Sequence, residues 1–209
     1  MLVAAGYSHC FCTPHVWPNL PNQTTEIVPQ RTHELQEALI TAGVPLMLLP
    51  GSELNLHPKV METSPNQIIP YAMAGRFILV DMWADRLPGW FAETIQWLGG
   101  MKLTVILAHP ERMRAVQDQP ELADEFARLG VLLQGNLQCF ADRPDAHTRI
   151  VAERYLKEDR YFVLGSDTHN VKGLEHRLIG LENAIAAGGL ERVDRLTRLN
   201  PQKLLPDSA

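Results

Sequence analysis

The hydrophobic pattern of the chain consists of short apolar runs that are bounded by turn residues and separated by stretches of helical periodicity. Apolar runs with the length of buried strands are Ser8 to Thr13, Leu46 to Pro50, Phe77 to Met82, Leu103 to Ala108, Val131 to Gln134 and Tyr161 to Gly165. Such an alternation of strands and helices is typical of a largely parallel sheet. The pattern therefore predicts an α/β fold.

Two stretches between these strands have the spacing of amphipathic helices. The first, RTHELQEALITAG, has apolar residues on one face at Leu35, Ala38, Leu39 and Ala42. Gly43 follows it as a left-handed C-terminal cap. The second, DQPELADEFARLG, has Pro120 in its first turn and ends at Gly130. The Pro-rich segment 57–75 is poorly periodic, and we expect a long loop with one short helix there.

The length, composition, net charge and cysteine count of the sequence limit the classes of protein that it can be. With 209 residues, of which 45% are hydrophobic, the chain is long enough for one core, and we predict a single domain over residues 1–209. A net charge of −5 argues against a nucleic-acid partner, which would require clustered Lys and Arg. The three cysteines have no disulfide-framework spacing, and no apolar run has transmembrane length. We therefore expect a cytoplasmic protein with reduced thiols.

Potential metal ligands follow all but one of the predicted strands. These residues are His15, Glu53, Asp81, His109, Asp167 and His169. The carboxyl ends of parallel strands lie on one face of a sheet or barrel, so distant residues converge there. Buried charges are costly unless they are paired or bound to cations. Imidazole and carboxylate ligands suit Zn, Mn or Fe, and a carboxylate such as Glu53 bridges two ions, so the pattern predicts a polynuclear metal site.

Each of these residues also has a structural interpretation when it is taken alone. His15 after Thr-Pro could be a capping or satisfied polar residue, Glu53 could be a helix N-terminal charge, and Asp81 could form a turn. His109 is more specific, because it follows the strand LTVILA directly. The pair Asp167 and His169 is the most informative, because side chains two residues apart in extended chain share a face.

Arg112 and Trp17 are candidates for substrate binding. Arg112 could be a surface charge or a partner of Glu111, but it lies near the same strand end as His109 and could clamp phosphate oxygens with its planar fork. Trp17 could form the wall of the pocket entrance or pack under its loop. We assign Trp83, with the chain's other tryptophans Trp90 and Trp97, to the core or an interface.

The motifs TPHVWPN, PGSEL, ILVDMW, ILAHPERMR, VLGSDTHN and NPQKLL occur in this order over nearly the whole chain. Together they resemble the PHP superfamily, most closely its bacterial capsule-regulating protein tyrosine phosphatases, the CpsB/CapC group. The resemblance implies a distorted (β/α)7 TIM-like barrel with a trinuclear metal centre, usually supported by manganese. It also implies hydrolysis of phosphotyrosine on the tail of a bacterial tyrosine kinase.

The resemblance also implies a role for each candidate residue. Glu53 would bridge two ions, and Asp167 would belong to the first ion. Asp81 and His109 would complete the ligands of the second ion, and His15 and His169 would belong to the third. Arg112 matches the arginine of the HPER motif and would assist catalysis.

The chain departs from the family pattern in two places. It has Asp81 where the family typically has Glu, and it lacks the initial strand with D-x-H-x-H and the Pro-Gly-Asp-Asp loop. The resemblance therefore implies an N-terminally truncated barrel in which only the second metal site has its full set of protein ligands. A fragment or wrongly chosen start codon is favoured over a truly truncated protein that binds metal weakly and over completion by another subunit. An in-frame D-x-H-x-H upstream of Met1 would identify a clipped enzyme.

The resulting hypothesis is phosphomonoester hydrolysis by metal-activated water, with a phosphotyrosine protein as the substrate. The cysteines lie in no C-x5-R motif, which argues against a thiolate phosphatase. One alternative is a PHP phosphoesterase that acts on a small phosphomonoester such as a histidinol-phosphate-like metabolite. The other is a non-catalytic module that binds metal or a partner. The metal could be Mn, Fe, Zn or Mg, and a homo-oligomer is one of the assemblies that the family forms.

Overall fold

The structure, a computed structural model, describes residues 1–20 and 23–206. The chain forms two compact units. Unit 1 contains Met1–Asp81, Glu93–Val105 and the terminal residues from Leu204, and unit 2 contains Met82–Ala92 and Ile106–Lys203. The expectation of a single domain over residues 1–209 stays a prediction.

All strand pairing that is resolved within each unit is parallel. In unit 1, β1 (His9–Cys12) pairs with β3 (Met47–Pro50), while β2 (His15–Val16), β4 (Glu53–Asn55) and β5 (Phe77–Asp81) lie side by side in that order. Strand β6 (Thr104–Ala108) begins in unit 1 and ends in unit 2, where β7 (Leu132–Asn136) and β8 (Tyr161–Gly165) follow it in order. The predicted α/β class with parallel strands is confirmed.

The described helices are α1 (Ile27–Thr41), α2 (Phe91–Gly100), α3 (Arg114–Asp118), α4 (Leu122–Arg128), α5 (Leu137–Ala141), α6 (His147–Lys157), α7 (Val171–Gly188), α8 (Leu190–Asp194) and α9 (Asn200–Gln202), with a π-helical turn at Arg195–Leu199. Six of these described helices lie between strands in the chain, and α7, α8 and α9 follow the last strand. None of the described helices has the length and apolar character that a membrane span needs.

Every apolar run that predicts a strand contains one, but two short strands are absent from that prediction. These are β2 and β4, which place His15 and Glu53 inside strands rather than after them. The two strands form because the chain changes partner at Thr13-Pro14. Up to Cys12 it pairs with β3, and from His15 onward it pairs with β4. At the change, the Glu53 N–H donates to the Pro14 carbonyl at 3.0 Å. Strands of two and three residues are too short to show a period of two in the sequence.

Fully buried apolar side chains fill the interior of each unit. Ile78, Val80 and Leu98 are fully buried in unit 1, as are Ile106, Leu107, Phe126, Phe140 and Tyr155 in unit 2. Burial of one such side chain contributes roughly 1.5–3 kcal/mol to folding. The strands that precede the candidate site residues are therefore rigid supports for them.

Helix α1 presents a different face to unit 1 from the one that its apolar residues predict. Leu35 is 51% exposed, whereas Val28 and Thr32 are buried. Gln36 explains the difference, because its Nε2 donates to the Leu46 carbonyl at 3.1 Å and its Oε1 accepts from the Leu48 N–H at 2.7 Å. The predicted core face at Leu35, Ala38, Leu39 and Ala42 is therefore wrong: the polar clamp to the β3 segment sets the rotation of the helix.

The segment 57–75 is a loop with more helical turns than predicted. It contains single-turn 3₁₀ helices at Val60–Glu62, Pro65–Gln67 and Tyr71–Met73, where one short helix was expected. Ile68, Ile69 and Tyr71 are buried beside these turns. Prolines interrupt the segment before any turn extends, so the apolar residues pack without a helical period.

Several helices end in the two-bond Schellman cap that the sequence predicts at Gly43. After α1, Gly43 has φ of 66°, its N–H donates to the Ile40 carbonyl, and the Val44 N–H donates to the Leu39 carbonyl. Gly130, at which the second helix is predicted to end, has φ of 74° and follows α4 in the same way. The predicted cap at Gly43 is confirmed.

The cap after α2 uses Lys102, a residue that is unfavourable in this conformation. Lys102 has φ of 64°, with the Lys102 N–H bonded to the Gly99 carbonyl and the Leu103 N–H bonded to the Leu98 carbonyl. We expect Lys102→Gly to raise the free energy of unfolding by about 0.5–1 kcal/mol, because glycine adopts positive φ without a Cβ clash. Urea unfolding followed by circular dichroism measures the change. Lys102→Ala is the control, and an equal gain from alanine would contradict backbone strain as the cause.

Candidate functional site

In unit 1, the pairing of β2 with β4 places His15 opposite Glu53. His15 Nδ1 lies 3.4 Å from Glu53 Oε1, and the Glu53 residue is only 3% exposed. Burial raises the pKa of Tyr71, and the negative charge of Glu53 raises it further. Glu53 is therefore a buried carboxylate whose negative charge acts on its neighbours in unit 1.

Asp81 lies at the end of β5 in the same unit. It is fully buried, and its Oδ1 accepts a hydrogen bond from Asn55 Nδ2 at 3.0 Å. Its backbone carbonyl accepts from the Leu56 N–H at 2.8 Å. Asp81 is thus a buried strand-end carboxylate whose position is determined by the neighbouring strand β4.

Trp17 lies beside His15. The centroids of the two rings are 4.7 Å apart, and the ring planes are tilted by 49°. The indole restricts the orientation of the imidazole. This contact is compatible with His15 as a metal ligand and equally with His15 as a packed residue. The prediction that Trp17 lines a substrate entrance stays a prediction.

In unit 2, His109 follows β6 in an unusual backbone conformation. Its φ and ψ are 36° and 51°, in the left-handed region, and the residue is 2% exposed. Its N–H donates to the Gln134 carbonyl at 2.8 Å, and Pro110 then starts the 3₁₀ helix Pro110–Arg112. Strained residues of this kind persist only where the surrounding structure imposes them, and they concentrate at functional sites.

Asp167 is the centre of a hydrogen-bond network in unit 2. Its Oδ2 accepts from Arg112 Nη1 at 3.2 Å and from Asn136 Nδ2 at 2.8 Å. Its backbone carbonyl accepts from Arg177 Nη2 at 3.0 Å, and Arg177 Nε also donates to the Ser166 carbonyl. Asp167 has φ of 46°, so the network holds it in the left-handed region, in which His109 also lies, although neither residue is a glycine.

His169 lies next to Asp167 but is much more exposed. Its Nδ1 is 3.0 Å from the Asp167 carbonyl oxygen and 3.6 Å from Asp167 Oδ1, and its side chain is 56% exposed. The two residues are neighbours, but Asp167 has φ of 46°, so the segment is not the extended chain on which the prediction of a shared face rests. The Asp167 carboxylate is turned toward Arg112, and the imidazole extends toward solvent.

Glu111 has a structural role that differs from pairing with Arg112. It is fully buried, and its carboxylate accepts from the Asn136 N–H at 2.7 Å and from the Tyr161 hydroxyl at 3.0 Å. Burial raises the pKa of Glu111, while these hydrogen bonds and the charge of His109 lower it. The residue ties the segment after β6 to β7 and β8.

We call the group of His109, Arg112, Asp167, Asn136, Arg177 and Trp83 the unit 2 cluster. The last three of these residues are missing from the sequence-based site. Asn136 ends β7 and Arg177 lies on α7, and both hold Asp167. The sequence predicts Trp83 in the core or an interface; at 52% exposure it is not in the core, and its ring lies 4.9 Å from Arg112 Cζ. A polar residue at a strand end is a signal that could have identified Asn136. Arg177 and Trp83 carry no such signal, because only folding brings them to the cluster.

The candidate residues carry imidazole and carboxylate groups, which are common ligands of divalent cations in proteins. The acidic and imidazole side chains are mostly buried, and they lie in close pairs: His15 with Glu53 in unit 1, and Asp167 with His169 in unit 2. Over residues 1–20 and 23–206, no three His, Cys, Asp or Glu side chains are grouped closely enough to hold one ion. The structure thus brings together pairs of the predicted ligands, and their joint role in a metal centre stays a prediction.

The fold is similar to that of solved bacterial phosphatases. A structure from a study of YwqE from Bacillus subtilis and CpsB from Streptococcus pneumoniae, described as metal-dependent tyrosine phosphatases, matches with a TM-score of 0.84. The match covers 97% of this chain and 83% of the other, at 22% sequence identity. At that identity the likeness establishes the fold.

Two sequence relatives are also named as tyrosine-protein phosphatases, and for one of them, CapC, the name is provisional. The tyrosine-protein phosphatase YwqE of Bacillus subtilis (strain 168) is 25% identical over 174 residues, which are 81% of this chain and 67% of that protein. CapC of Staphylococcus aureus is 22% identical over 159 residues, 76% of this chain and 62% of CapC. The chain thus spans about two thirds of the length of these relatives. The sequence model described as capsular polysaccharide synthesis, CpsB/CapC, matches residues 2–206. With nearly every residue of the chain inside that match, the protein belongs to the CpsB/CapC family.

Proposed function

We propose that this chain is a metal-dependent phosphomonoester hydrolase that acts on phosphotyrosine in a protein substrate. The observation that carries the proposal is the cluster in unit 2. There Arg112, with 33% of its side chain exposed, is held 3.2 Å from Asp167 and lies beside Trp83, which also contacts the ring of His109. A fixed guanidinium at the carboxyl ends of parallel strands is suited to a phosphate group.

Arg112 would bind the phosphate and stabilise charge as it develops. The planar guanidinium presents N–H donors that match two phosphate oxygens at once. Its position is determined before substrate arrives, by the 3₁₀ helix Pro110–Arg112 and by the hydrogen bond to Asp167. A preorganised donor of this kind acts on the transition state without a cost of reorganisation at the moment of reaction.

The residues that would hold metal ions in this proposal are His15, Glu53, Asp81, His109, Asp167 and His169. A polynuclear centre of divalent ions would supply an activated water and neutralise phosphate charge. Manganese is proposed first, with Fe, Zn and Mg as alternatives. His109 and Asp167 would act from the rigid ends of β6 and β8, and Asn136 and Arg177 would hold Asp167 in place.

The cysteines do not provide a competing nucleophile. Burial raises the pKa of Cys10 to about 11, with a further contribution from Cys12. Burial also raises the pKa of Cys139, as does the nearby charge of Glu111. Thiols with raised pKa values remain protonated at neutral pH, and the thiolate is the reactive form. A thiolate mechanism is therefore disfavoured, in agreement with the absence of a C-x5-R motif.

The finer assignments are also part of this proposal. They are membership in the PHP superfamily, a distorted (β/α)7 TIM-like barrel, a cytoplasmic location and a homo-oligomeric assembly. The family match over residues 2–206 and the similarity in fold to YwqE and CpsB support the first two. The tail of a bacterial tyrosine kinase is the proposed protein substrate. A phosphotyrosine within a peptide needs an open, shallow site in order to reach the metal centre.

The proposal is tested by hydrolysis of p-nitrophenyl phosphate and of a phosphotyrosine peptide with and without metal. We expect activity with Mn²⁺, its loss on treatment with a chelator, and recovery when Mn²⁺ is added back. Glu53→Gln is expected to lower both bound metal and activity, because it removes a buried carboxylate charge. Glu93→Gln, at an exposed carboxylate of α2 in the same unit, is the matched control and should change neither.

Two results would separate the alternatives. Turnover that is unaffected by chelation would contradict metal dependence, while preference for a small phosphomonoester over the peptide would indicate a metabolite phosphoesterase. A non-catalytic binding module is the second candidate, because no three potential ligands group together among the described residues. At most one loosely held ion and no turnover with any tested metal would favour that module.

A further inference from the structure

Trp83 is an exposed aromatic residue that contacts the proposed phosphate-binding arginine. Trp83 is 52% exposed, and Arg112 Cζ lies 4.9 Å from the centroid of its indole ring. The ring of His109 lies 5.8 Å from the same indole at an interplanar angle of 36°. Trp83 therefore contacts two residues of the unit 2 cluster while much of its surface faces water.

The backbone beside Trp83 is attached to the segment that follows Arg112. The Ala84 carbonyl accepts a hydrogen bond from the Ala115 N–H at 3.1 Å, and Ala115 lies on α3, directly after the 3₁₀ helix that ends at Arg112. This bond links the two short segments that carry the indole and the guanidinium. The backbone segments on either side of the contact are therefore joined to each other within unit 2.

The two partners of Arg112 restrain it in different ways. Asp167 accepts a hydrogen bond from Nη1 of Arg112 and so uses one of the donors of the guanidinium. Arg112 Cζ lies over the indole ring, and the π face of an aromatic ring attracts a cation without offering it a carboxylate or carbonyl oxygen. Trp83 can thus hold the guanidinium of Arg112 in place without a second carboxylate beside it.

We infer that Trp83 is a positioning residue for Arg112: it holds the guanidinium in place so that its remaining donors meet the phosphate group. This inference rests on the proposed function of Arg112. Because Trp83 acts through Arg112, its removal should have an effect only where Arg112 is present. A purely structural role of the indole would act in both backgrounds.

A double-mutant cycle on the full chain with Mn²⁺ tests the inference, with p-nitrophenyl phosphate as the substrate. We expect Trp83→Leu to lower kcat by about two- to fivefold, the scale of one exposed cation–π contact, with a smaller change in KM. Trp83→Phe should retain part of the rate, because a phenyl ring is a weaker partner. In the Arg112→Ala background, itself slower by about a hundredfold, Trp83→Leu should have no further effect. Trp97→Phe is the matched control in α2 and should leave kcat unchanged.

A second measurement does not depend on turnover. In ¹⁵N spectra of the metal-free protein, the Nε–H signal of Arg112 is identified by its loss in Arg112→Ala. We expect this signal to broaden or exchange faster with solvent in Trp83→Leu and to remain in Trp83→Phe. An unchanged signal in Trp83→Leu would show that the indole does not hold the guanidinium and would overturn the inference.

The outcomes distinguish the inference from the function on which it rests. If the wild-type chain hydrolyses the substrate and Trp83→Leu does so equally well, the inference alone is overturned. It is also overturned if Trp83→Leu lowers kcat by the same factor with and without Arg112, because the indole then acts structurally. If the wild-type chain does not hydrolyse the substrate with any metal, the proposed function and this inference both fall.

Discussion

Replacement of His109 by asparagine is expected to reduce metal-dependent hydrolysis of an aryl phosphate to background. His109 is buried at the end of β6, with φ of 36°. Asparagine tolerates this left-handed conformation better than alanine does, so the substitution removes the imidazole with little change in backbone strain. Activity and bound metal, the latter by inductively coupled plasma mass spectrometry, are measured on the same preparations. His109→Ala should have the same effect on activity with a larger loss of stability.

His176→Asn is the matched control for this substitution. His176 is an exposed residue of α7 in the same unit, outside the cluster around Asp167. We expect the His176 variant to retain the activity and metal content of the wild type. Unchanged turnover in His109→Asn would remove His109 from the proposed site, and lost turnover with unchanged metal content would make it a residue that acts on the substrate instead.

Gly180→Ala is expected to destabilise unit 2 by about 3 kcal/mol or more. A Cβ atom on Gly180 would lie 1.8 Å from the backbone carbonyl oxygen of Leu137, a distance that requires helices α5 and α7 to separate. Overpacking of a core typically costs about 1–3 kcal/mol, and the cost rises when the obstacle is backbone that cannot rotate away. The midpoint of urea unfolding, followed by circular dichroism, measures the effect.

The control for Gly180→Ala is the same substitution at Gly99. Gly99 lies in the last turn of α2, and an added Cβ would have no neighbour within 4 Å. We expect this variant to be unchanged or more stable by about 0.5–1 kcal/mol, because alanine loses less backbone entropy in a helix than glycine does. Equal effects at the two positions would contradict close packing of α5 and α7 as the cause.

Close packing of α5 against α7 also bears on the candidate site. Asn136 caps α5 with its Oδ1 and donates to Asp167 with its Nδ2, while Arg177 on α7 holds the Asp167 carbonyl. Separation of the two helices by Gly180→Ala should therefore displace Asp167. We expect the phosphatase activity of the folded fraction to fall as well as the stability.

Sequence reasoning found candidate site residues where a chemically reactive or charged side chain coincides with a strand end. His109, Arg112 and Asp167 follow long apolar strands, so the pattern alone places them at the carboxyl ends of β6 and β8. Arg112 and Asp167 are indeed in contact, at 3.2 Å. The same reasoning failed for α1, because periodicity records which residues are apolar and does not record that Gln36 supplies hydrogen bonds to the β3 segment.

The amino-acid sequence by itself determined the α/β class, the parallel strands, the glycine cap at Gly43, the end of a helix at Gly130, and the identity of the candidate ligands. These features depend on local properties: apolar period, backbone freedom and side-chain chemistry. Only the tertiary structure decided that Asn136, Arg177 and Trp83 surround Asp167 and Arg112, since residues that are distant along the chain become neighbours through packing. It also decided the short pairing of His15 with Glu53, because two residues of strand are too few to leave a periodic signal in the sequence.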